Sequence, residues 1–408
     1  MSILILNRSA HSKVPYEKWL RDSNEKLVLL TSSETADTFY NKNYEYIESF
    51  DKYESNNFIE IRALELHKKY QFKHIIAVSE LDIVKAGHIR ELLNIEGQSI
   101  ESANIFRNKI CMKDIANRNN LRTPVYKSIQ TSFDLFEFVE KNGYPVIIKP
   151  IDGVGAMNTT ILTNYDDLKD FLSNGLSLNL EVETFVEGEM YHIDGLVIND
   201  QIVINWPSKY INSCLAYKEG KYVGSYTLSK SNKLTNRLRK FVNDIIEAFP
   251  TPSNTAFHAE VFHTTNDELV LCEIASRAGG AKIDQQINQA FDINIIESWI
   301  KAQCSVTSII PKNKMDTPKK LIGTLLFPPR RGVIKSLPKE KPPVEVLDYK
   351  ITVKPGQRFL QAKNSADNIA FFILKGETEE NLLANIEKIG IWFEENTVWE
   401  QEELLLNI

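Results

Sequence analysis

Several features that would point to a membrane protein, a secreted protein or a nucleic-acid-binding protein are missing from this sequence of 408 residues. It contains no run of about 18 apolar residues, so we expect no membrane-spanning helix. The first apolar stretch covers only residues 3–6. This is too short for a signal peptide, and we therefore expect a cytoplasmic protein. Lys and Arg number 48 against 54 Asp and Glu, and the net charge of −6 disfavours general binding to nucleic acid or to an anionic membrane.

Cysteine is also scarce. The four cysteines lie far apart and form no CxxC pair, which predicts reduced and partly buried thiols. An apolar fraction of 43% and a charged fraction of 25% are ordinary for a folded soluble chain, and they exclude disorder and collagen-like repeats. At roughly 150 residues per domain, the length suggests two to three domains.

In the first hundred residues, short apolar runs alternate with helical stretches. The runs at 3–6, 26–30, 44–47 and 74–78 predict strands, and residues 58–70 predict a helix. This alternation favours a parallel sheet with crossover helices, in which ligands bind beyond the carboxyl ends of the strands. Ser79, Glu80 and Asp82 occupy such a position, although polar residues there are more often turn and cap formers.

Beyond residue 130 the chain becomes rich in strands, with predicted helices at 132–142 and 234–249 and one long helix at 283–302. The Asn199-Asp200 pair predicts a hairpin turn. The predicted strands cover residues 145–149, 181–186, 192–198, 202–206, 256–262 and 269–274. Seven prolines between residues 311 and 343 predict short or edge strands there, and a boundary into a smaller C-terminal α+β unit.

The most informative segment is PVIIKPIDGVGAMNTTIL, residues 145–162. It places Lys149 at the end of a buried strand, and a loop with Gly153 and Gly155 follows. Glycine lets backbone amides approach phosphate oxygens closely, and the lysine would add a positive charge to the same phosphates. A hairpin turn with a solvated lysine is the alternative interpretation. The segment is not a P-loop, because its lysine precedes the glycines.

Two carboxylates, Glu260 and Glu273, lie in neighbouring predicted strands whose other residues are largely apolar. A buried carboxylate is costly unless it is paired or holds a metal ion. Antiparallel pairing of the two strands could bring both groups to one site, where they would suit Mg²⁺ bound to substrate phosphates. A structural ion pair with Arg277 is the alternative.

The segment EVETFVEGEMYHIDGLV, residues 181–197, is a third candidate. Its extended part, with Glu183, Phe185 and Val186, could read an adenine edge through backbone groups. Glu187 and Glu189 could reach a ribose. Taken alone, the segment would be better explained as an exposed acidic bend before a strand.

The order of these features resembles the ATP-grasp superfamily, in particular its carboxylate–amine ligases. The resemblance covers nearly the whole chain, and the pattern EIASR at 273–277 is similar to that of the L-amino acid ligases that make dipeptides. It implies an α/β and α+β multidomain fold with four parts. These are an N-terminal Rossmann-like parallel-sheet domain, two ATP-grasp halves and a C-terminal α+β domain, at residues 1–98, 99–187, 188–312 and 313–408.

The resemblance also implies roles for individual residues. Arg277 would stabilise charge at the reacting carbonyl, and Glu260 and Glu273 would hold Mg²⁺. Ala275 departs from the many members with Asn at this position, which leaves the shell of a second Mg²⁺ less certain. The residues implied to bind ATP are Lys109, Lys149, Gly153, Gly155, Ala156, Met157, Glu183, Phe185, Val186, Glu189 and His192.

The implied reaction joins an amino acid carboxylate to an amine through an acyl phosphate, with ATP and Mg²⁺ as cofactors and release of ADP and phosphate. The expected acceptor is a second amino acid. A carrier-protein thiol or an antibiotic intermediate is the alternative, and a non-catalytic nucleotide-binding module is the rival from another class. The substrate pocket is expected to draw on the N-terminal strand ends, on residues after Arg277 and on the C-terminal domain, with Ser79, Glu80, Arg330 and Arg331 as guesses. Oligomeric state stays open, although homodimers are common in the family.

Overall fold

The computed structural model describes residues 1–306 and 315–400. Its first part is the predicted parallel sheet, with four strands in the order β3-β2-β1-β4. Buried aliphatic side chains fill both faces of β1 and β2, as expected when helices cover a parallel sheet on both sides. The elements are β1 (Ser2–Asn7), α1 (Tyr16–Trp19), β2 (Lys26–Ser32), α2 (Ser33–Ala36), β3 (Tyr46–Phe50), α3 (Phe58–Tyr70), β4 (Phe72–Ala77) and α4 (Ile83–Leu93).

A smaller antiparallel sheet follows, with the strand order β5-β8-β6-β7. Two helices, α7 and α8, cover it with a small apolar core that includes Leu135, Phe138 and Leu168. The elements of this part are α5 (Ile100–Ile105), α6 (Lys109–Arg118), β5 (Tyr126–Ile129), α7 (Ser132–Asn142), β6 (Val146–Pro150), β7 (Thr160–Leu162), α8 (Tyr165–Ser173) and β8 (Leu180–Thr184).

The rest of the chain builds an eight-stranded sheet in the order β13-β12-β9-β10-β11-β14-β18-β16 and a three-stranded sheet in the order β17-β15-β19. The elements are β9 (Gly188–Ile198), β10 (Gln201–Ile211), β11 (Val223–Thr227), α9 (Thr235–Ala248), β12 (Thr255–Thr264), β13 (Leu269–Ala275), α10 (Ile283–Phe291), α11 (Ile295–Gln303), β14 (Leu321–Phe327), β15 (Gly332–Ser336), β16 (Asp348–Ile351), β17 (Arg358–Phe359), β18 (Ala370–Gly376), α12 (Glu379–Asn396) and β19 (Val398–Glu400).

Helices cover both faces of the large sheet. Leu238 of α9 and Ile386 of α12 belong to the core on one face, and Ile287 of α10 and Trp299 of α11 belong to the core on the other. The sheet is therefore a rigid platform from which polar side chains of β9, β10, β12 and β13 can be positioned precisely enough for chemistry.

Two predictions about the second half of the chain were wrong. The single helix predicted at 283–302 is two helices, because Asp292 ends α10 in the left-handed conformation and Asn294 caps the start of α11. The strand between Pro318 and Pro328 is neither short nor at an edge. The prolines bound β14 instead of interrupting it, so its ladder with β11 and β18 is intact.

The large sheet also runs across the predicted boundary at residue 313. Strands β14, β18 and β16 continue the sheet that β9 to β13 begin, so the two predicted units share one sheet. Other predictions were confirmed. Asn199 and Asp200 both have positive φ in the turn between β9 and β10 (48° and 64°), and all four cysteines are free thiols. Among the described residues, no helix combines the length and apolar character needed to cross a membrane.

Candidate active site

A cavity of about 420 Å³ lies between the small antiparallel sheet and the large sheet. One wall comes from β6, β8 and the loop after β6, and the other from β9, β10, β12 and β13. Its lining includes Lys109, Lys149, Gly153, Gly155, Ala156, Met157, Glu183, Phe185, Val186, Glu189, Glu260 and Glu273. We call this space the cleft cavity.

Lys149 reaches the cleft cavity from the end of β6, as predicted. Its Nζ lies 2.6 Å from Oε1 of Glu183 and 3.7 Å from Oε1 of Glu181. Burial opposes the charged form, but the two carboxylates outweigh it and raise the pKa of Lys149 well above its usual value. The lysine is therefore a fixed positive charge.

A second lysine, Lys113, contacts the same two carboxylates. It was not predicted from the sequence. Its Nζ is fully buried and lies 2.6 Å from Glu181 and 2.7 Å from Glu183. Burial raises the pKa of Glu183, but Lys149 and Lys113 outweigh it and lower that pKa. The available signal was spacing, because Lys113 lies four residues after Lys109 and so shares its face of α6.

Lys109 is the first residue of α6, where the side chain of Asn108 caps the helix by accepting from two backbone amides. Its Nζ contacts Oε2 of Glu273 at 2.9 Å and donates to the carbonyl of Gly153 at 2.9 Å. Lys109 thus ties Glu273 to the glycine loop, and Lys109 and Lys149 line the same cavity.

Glu260 and Glu273 stand opposite each other in the register of β12 and β13. Oε1 of Glu260 accepts a hydrogen bond of 2.6 Å from the Tyr210 hydroxyl. Burial raises the pKa of Glu273, but the charges of Lys109 and Lys149 outweigh it and lower that pKa to about 2. Two carboxylates at one point of a polar cleft are the donor set that Mg²⁺ prefers, so these residues fit that ion.

The loop of residues 153–157 lies against the C-terminal part of the chain. The amide of Ser365 donates to the Gly155 carbonyl at 3.2 Å, and the Tyr217 hydroxyl donates to the Ala156 carbonyl at 3.1 Å. Gly155 adopts φ 59°, a conformation that glycine reaches at little cost. The structure therefore shows the loop docked over the cleft.

Arg277 follows β13 and is held by the N-terminal domain. Its Nε donates to Glu80, whose other oxygen accepts from Arg107 at 2.8 Å. Burial opposes ionisation of Glu80, but the two arginines lower its pKa, so the cluster keeps its charges. Glu80, which the sequence suggested as a candidate pocket residue, thus contacts Arg277. Arg330, suggested in the same way, instead donates to the Gly220 carbonyl and to Glu394.

A second cavity of about 400 Å³ lies beyond the glycine loop, and we call it the acceptor cavity. It shares Glu260, Glu273 and the loop with the cleft cavity. Its remaining walls come from three distant parts of the chain. They include Arg8, Glu54 and Leu81; Arg277, Gly280 and Ile283; and Thr324, Leu326, Asn364 and Ser365.

Beneath Glu260 lies a buried hydrogen-bonded group that the sequence did not reveal. Asp194 contacts Nδ1 of His192 at 2.5 Å and Nδ1 of His258 at 2.9 Å. Burial lowers the pKa of His258, but Asp194 outweighs it and raises that pKa to about 9. Nε2 of His258 is 3.6 Å from Glu260, so this group supports the carboxylate from below.

Two predicted nucleotide contacts lie differently from the expectation. His192 is fully buried and bonded to Asp194, and its side chain does not line the cleft cavity. The backbone of Glu183 is paired with strands on both sides, β5 and β6, so it is not a free edge for adenine. Glu183 contributes its side chain to Lys149 instead. Phe185 and Val186 line the cleft just past the end of β8, and Glu189 lines it beside Lys209.

The sequence is similar to those of known proteins. Residues 107–281 match the ATP-grasp domain family. The chain is 27% identical, over 80% of its length and 81% of the relative's, to an L-arginine-specific L-amino acid ligase from Bacillus subtilis. It is 24% identical to a D-alanine–D-alanine ligase from Clostridium botulinum, over 43% of this chain and 59% of the relative.

Among solved structures, the fold is similar to that of an L-amino acid ligase from Bacillus licheniformis. The TM-score is 0.76 at 17% sequence identity, and the match covers 99% of each chain. This likeness extends over all four parts of the chain, including the C-terminal strands that continue the large sheet.

Proposed function

Since residues 107–281 form an ATP-grasp domain and the chain has the ATP-grasp fold, we propose that the protein is an ADP-forming ligase that joins an amino acid carboxylate to an amine. The favoured acceptor is a second amino acid. One observation carries the proposal. The paired carboxylates Glu260 and Glu273 line both the cleft cavity, which contains two lysines, and the acceptor cavity, which contains Arg277.

The cleft cavity takes ATP. Lys109 and Lys149 offset charge on the phosphates, the loop of residues 153–157 covers them, and Phe185 and Val186 face the adenine. Glu189 lies at the level of the ribose. Glu260 and Glu273 would hold Mg²⁺, which when bound neutralises phosphate charge. Lys109 contacts both Glu273 and the Gly153 carbonyl, so its charge is held where the phosphates would meet the carboxylates.

The acceptor cavity takes the amino acid substrates. Arg277 orients the carboxylate, one of whose oxygens attacks the γ-phosphorus of ATP. A bond from that oxygen to phosphorus forms, the bond to the β-phosphate oxygen breaks, and ADP leaves. Positioning and charge stabilisation account for most catalysis of such transfers. The docked loop excludes water, which would otherwise hydrolyse the acyl phosphate.

The amine then attacks the acyl carbon, the carbon–oxygen bond to phosphate breaks, and the amine gives up one proton to the leaving phosphate as the amide forms. Arg277 again offsets the negative charge that develops on the carbonyl oxygen. A volume of about 400 Å³ is that of a small-molecule pocket, so we favour an amino acid over a carrier protein as acceptor.

A screen of amino-acid pairs tests the proposal, with phosphate release as the rate and mass spectrometry of the products. We expect ADP and phosphate to appear only when both amino acids are present, together with a product one water lighter than their sum. ATP consumption that needs bicarbonate, or nucleotide binding with no turnover for any acceptor, would refute it.

A further inference from the structure

A third cavity, of about 430 Å³, lies away from the proposed active site. We call it the interdomain cavity, because β4 and α4 of the N-terminal domain form one wall and residues 252–255 with α11 form the other. Its lining is mainly polar and includes His74, Arg90, Gln98, Asn254, Thr255 and Gln303.

Arg90 brings an uncompensated positive charge to this cavity. Its side chain is 5% exposed, and its only acceptors among the described residues are two neutral carbonyls, those of Ile75 at 2.6 Å and Gln98 at 3.2 Å. A guanidinium has five N–H donors, so most of its donor capacity is unused. Burial lowers the pKa of Arg90 to about 10, and no carboxylate of the described residues forms an ion pair with it.

Two further polar side chains of the same lining have buried atoms without a partner. Nε2 of His74 and Nε2 of Gln303 make no hydrogen bond within the described part of the chain, and neither does Nε of Arg90. Glu96 is the carboxylate among the described lining residues, and it is exposed. The described lining thus carries a buried positive charge, with little negative charge to balance it.

We propose that the interdomain cavity binds a small oxyanion, either a carboxylate or a phosphate group. Arg90 is the anchor, since a guanidinium recognises planar or tetrahedral oxyanions with two parallel hydrogen bonds. The side chains of Gln98, Asn254 and Thr255 line the same cavity and add neutral polar groups. Without an anion, the buried guanidinium keeps N–H donors unpaired that would be hydrogen-bonded in water, which is costly. The inference does not depend on the proposed reaction.

The cavity wall also contacts the strand that leads to Arg277. The side chain of Gln98 donates to the hydroxyl of Ser276 at 2.9 Å, and Thr255 donates to the Ser276 carbonyl at 3.2 Å. An anion on Arg90 would therefore fix the junction between the N-terminal domain and β13. This makes the site suited to an effector.

Crystals soaked in selenate test the proposal directly, with ADP and Mg²⁺ present to fill the cleft cavity. Selenium scatters anomalously, so its position is measured and not inferred. We expect a selenium peak about 4 Å from the Arg90 guanidinium nitrogens, which places a selenate oxygen within hydrogen-bond distance of them. Ordered water in the interdomain cavity, with no selenate there at a concentration that labels other sites, would overturn the proposal.

Calorimetry distinguishes the two kinds of oxyanion. Inorganic phosphate and succinate are titrated separately into the protein saturated with ADP and Mg²⁺. Arg90→Met is expected to weaken binding of the preferred anion about tenfold or more, because a charge-assisted hydrogen bond is lost. Arg90→Lys, which keeps the charge but lacks the paired donors of a guanidinium, should weaken it less, and it serves if the first variant does not fold. The control is Arg118→Met, which removes an exposed arginine at the end of α6 and should bind normally. Binding of neither anion, or equal weakening in the control, would refute the site.

Discussion

The two cavities that meet at Glu260 and Glu273 are built in different ways. The cleft cavity takes its charged side chains from strand ends and a helix start, and each cation there already has a carboxylate partner, as in Lys109 with Glu273 and Lys149 with Glu183. The acceptor cavity is assembled from residues near both ends of the chain, such as Arg8 and Asn364.

The difference teaches which part of the site is common to a reaction class and which part is particular to a substrate. Phosphates and a metal ion are the same in every reaction of this kind, so a preorganised set of charges serves them all. The acceptor cavity must fit one pair of molecules, and its walls come from strands and loops that are far apart in the sequence.

Replacing Glu273, whose carboxylate lines both cavities, should have the largest effect on kcat. Glu273→Gln removes a metal-type ligand and the partner of Lys109, and we expect kcat to fall about 10³-fold or more. Release of ADP is the measurement. Glu268→Gln is the matched control, since Glu268 pairs with the exposed Arg122 near the end of the same hairpin. Near-normal turnover in Glu273→Gln would remove this residue from the mechanism.

Replacing Arg277 should affect the reaction more than nucleotide binding, since Arg277 lines the acceptor cavity and not the cleft cavity. Arg277→Ala is expected to lower kcat about 10²- to 10³-fold, because charge on the acyl group is no longer offset. Affinity for an ATP analogue should change less than about threefold if the nucleotide contacts lie in the cleft cavity alone. Calorimetry with the analogue tests this. A loss of affinity for the analogue as large as the loss of kcat would contradict the assignment of nucleotide to the cleft cavity and Arg277 to the acceptor cavity.

Asp82 offers a contrast with the paired carboxylates, since both of its buried oxygens lack a partner among the described residues. Burial raises the pKa of Asp82 from 3.8 to about 6, although Arg8 and Lys85 act against it. The folded state therefore favours the protonated form, and the cost of the charged form appears as pH rises from about 4 to about 6.

Asp82→Asn should consequently stabilise the protein relative to the native chain, by an amount that grows with pH. Between pH 4 and pH 8 we expect the difference in unfolding free energy to change by about 2–3 kcal/mol. Urea unfolding at several pH values measures it. A difference that does not vary with pH would show that Asp82 has the same pKa in the folded and unfolded states.

The smallest effect is expected in the wall of the acceptor cavity. Gly280 lines this cavity, and a Cβ there would meet no atom within 4 Å, so a larger side chain can be added without strain against the protein. Gly280→Val should raise KM for an amino acid about three- to tenfold, and KM for ATP should not change. A change in KM for ATP alone would contradict the assignment of the two cavities.

Much of the cleft cavity could be predicted from the sequence, and little of the acceptor cavity could. Lys149 with its glycine loop is a local pattern, and the opposed register of Glu260 and Glu273 follows from two alternating strands and a short turn. Glu80 reaches Arg277 only through tertiary packing across almost two hundred residues. Lys113 was missed because its carboxylate partners, Glu181 and Glu183, lie far from it in the sequence and meet it only in the folded chain.

The larger errors also have physical causes. The prediction of one long helix at 283–302 was wrong because Asp292 adopts a left-handed conformation, which the spacing of apolar residues does not reveal. Strands on both sides of residue 313 belong to one sheet. The sequence did not show this, because prolines mark the ends of strands and do not indicate which sheet a strand joins. Backbone pairing on both sides of Glu183 likewise depends on strand order, which the sequence leaves open.

The transfer of oxygen from the carboxylate to phosphate tests the central claim most directly. With the substrate amino acid labelled with ¹⁸O in its carboxylate, an acyl phosphate requires that one labelled oxygen leaves with the inorganic phosphate when the amine attacks. We predict inorganic phosphate carrying one ¹⁸O per amide formed, with ADP as the nucleotide product. Unlabelled phosphate, or label recovered in AMP, would contradict phosphoryl transfer at the junction of the two cavities.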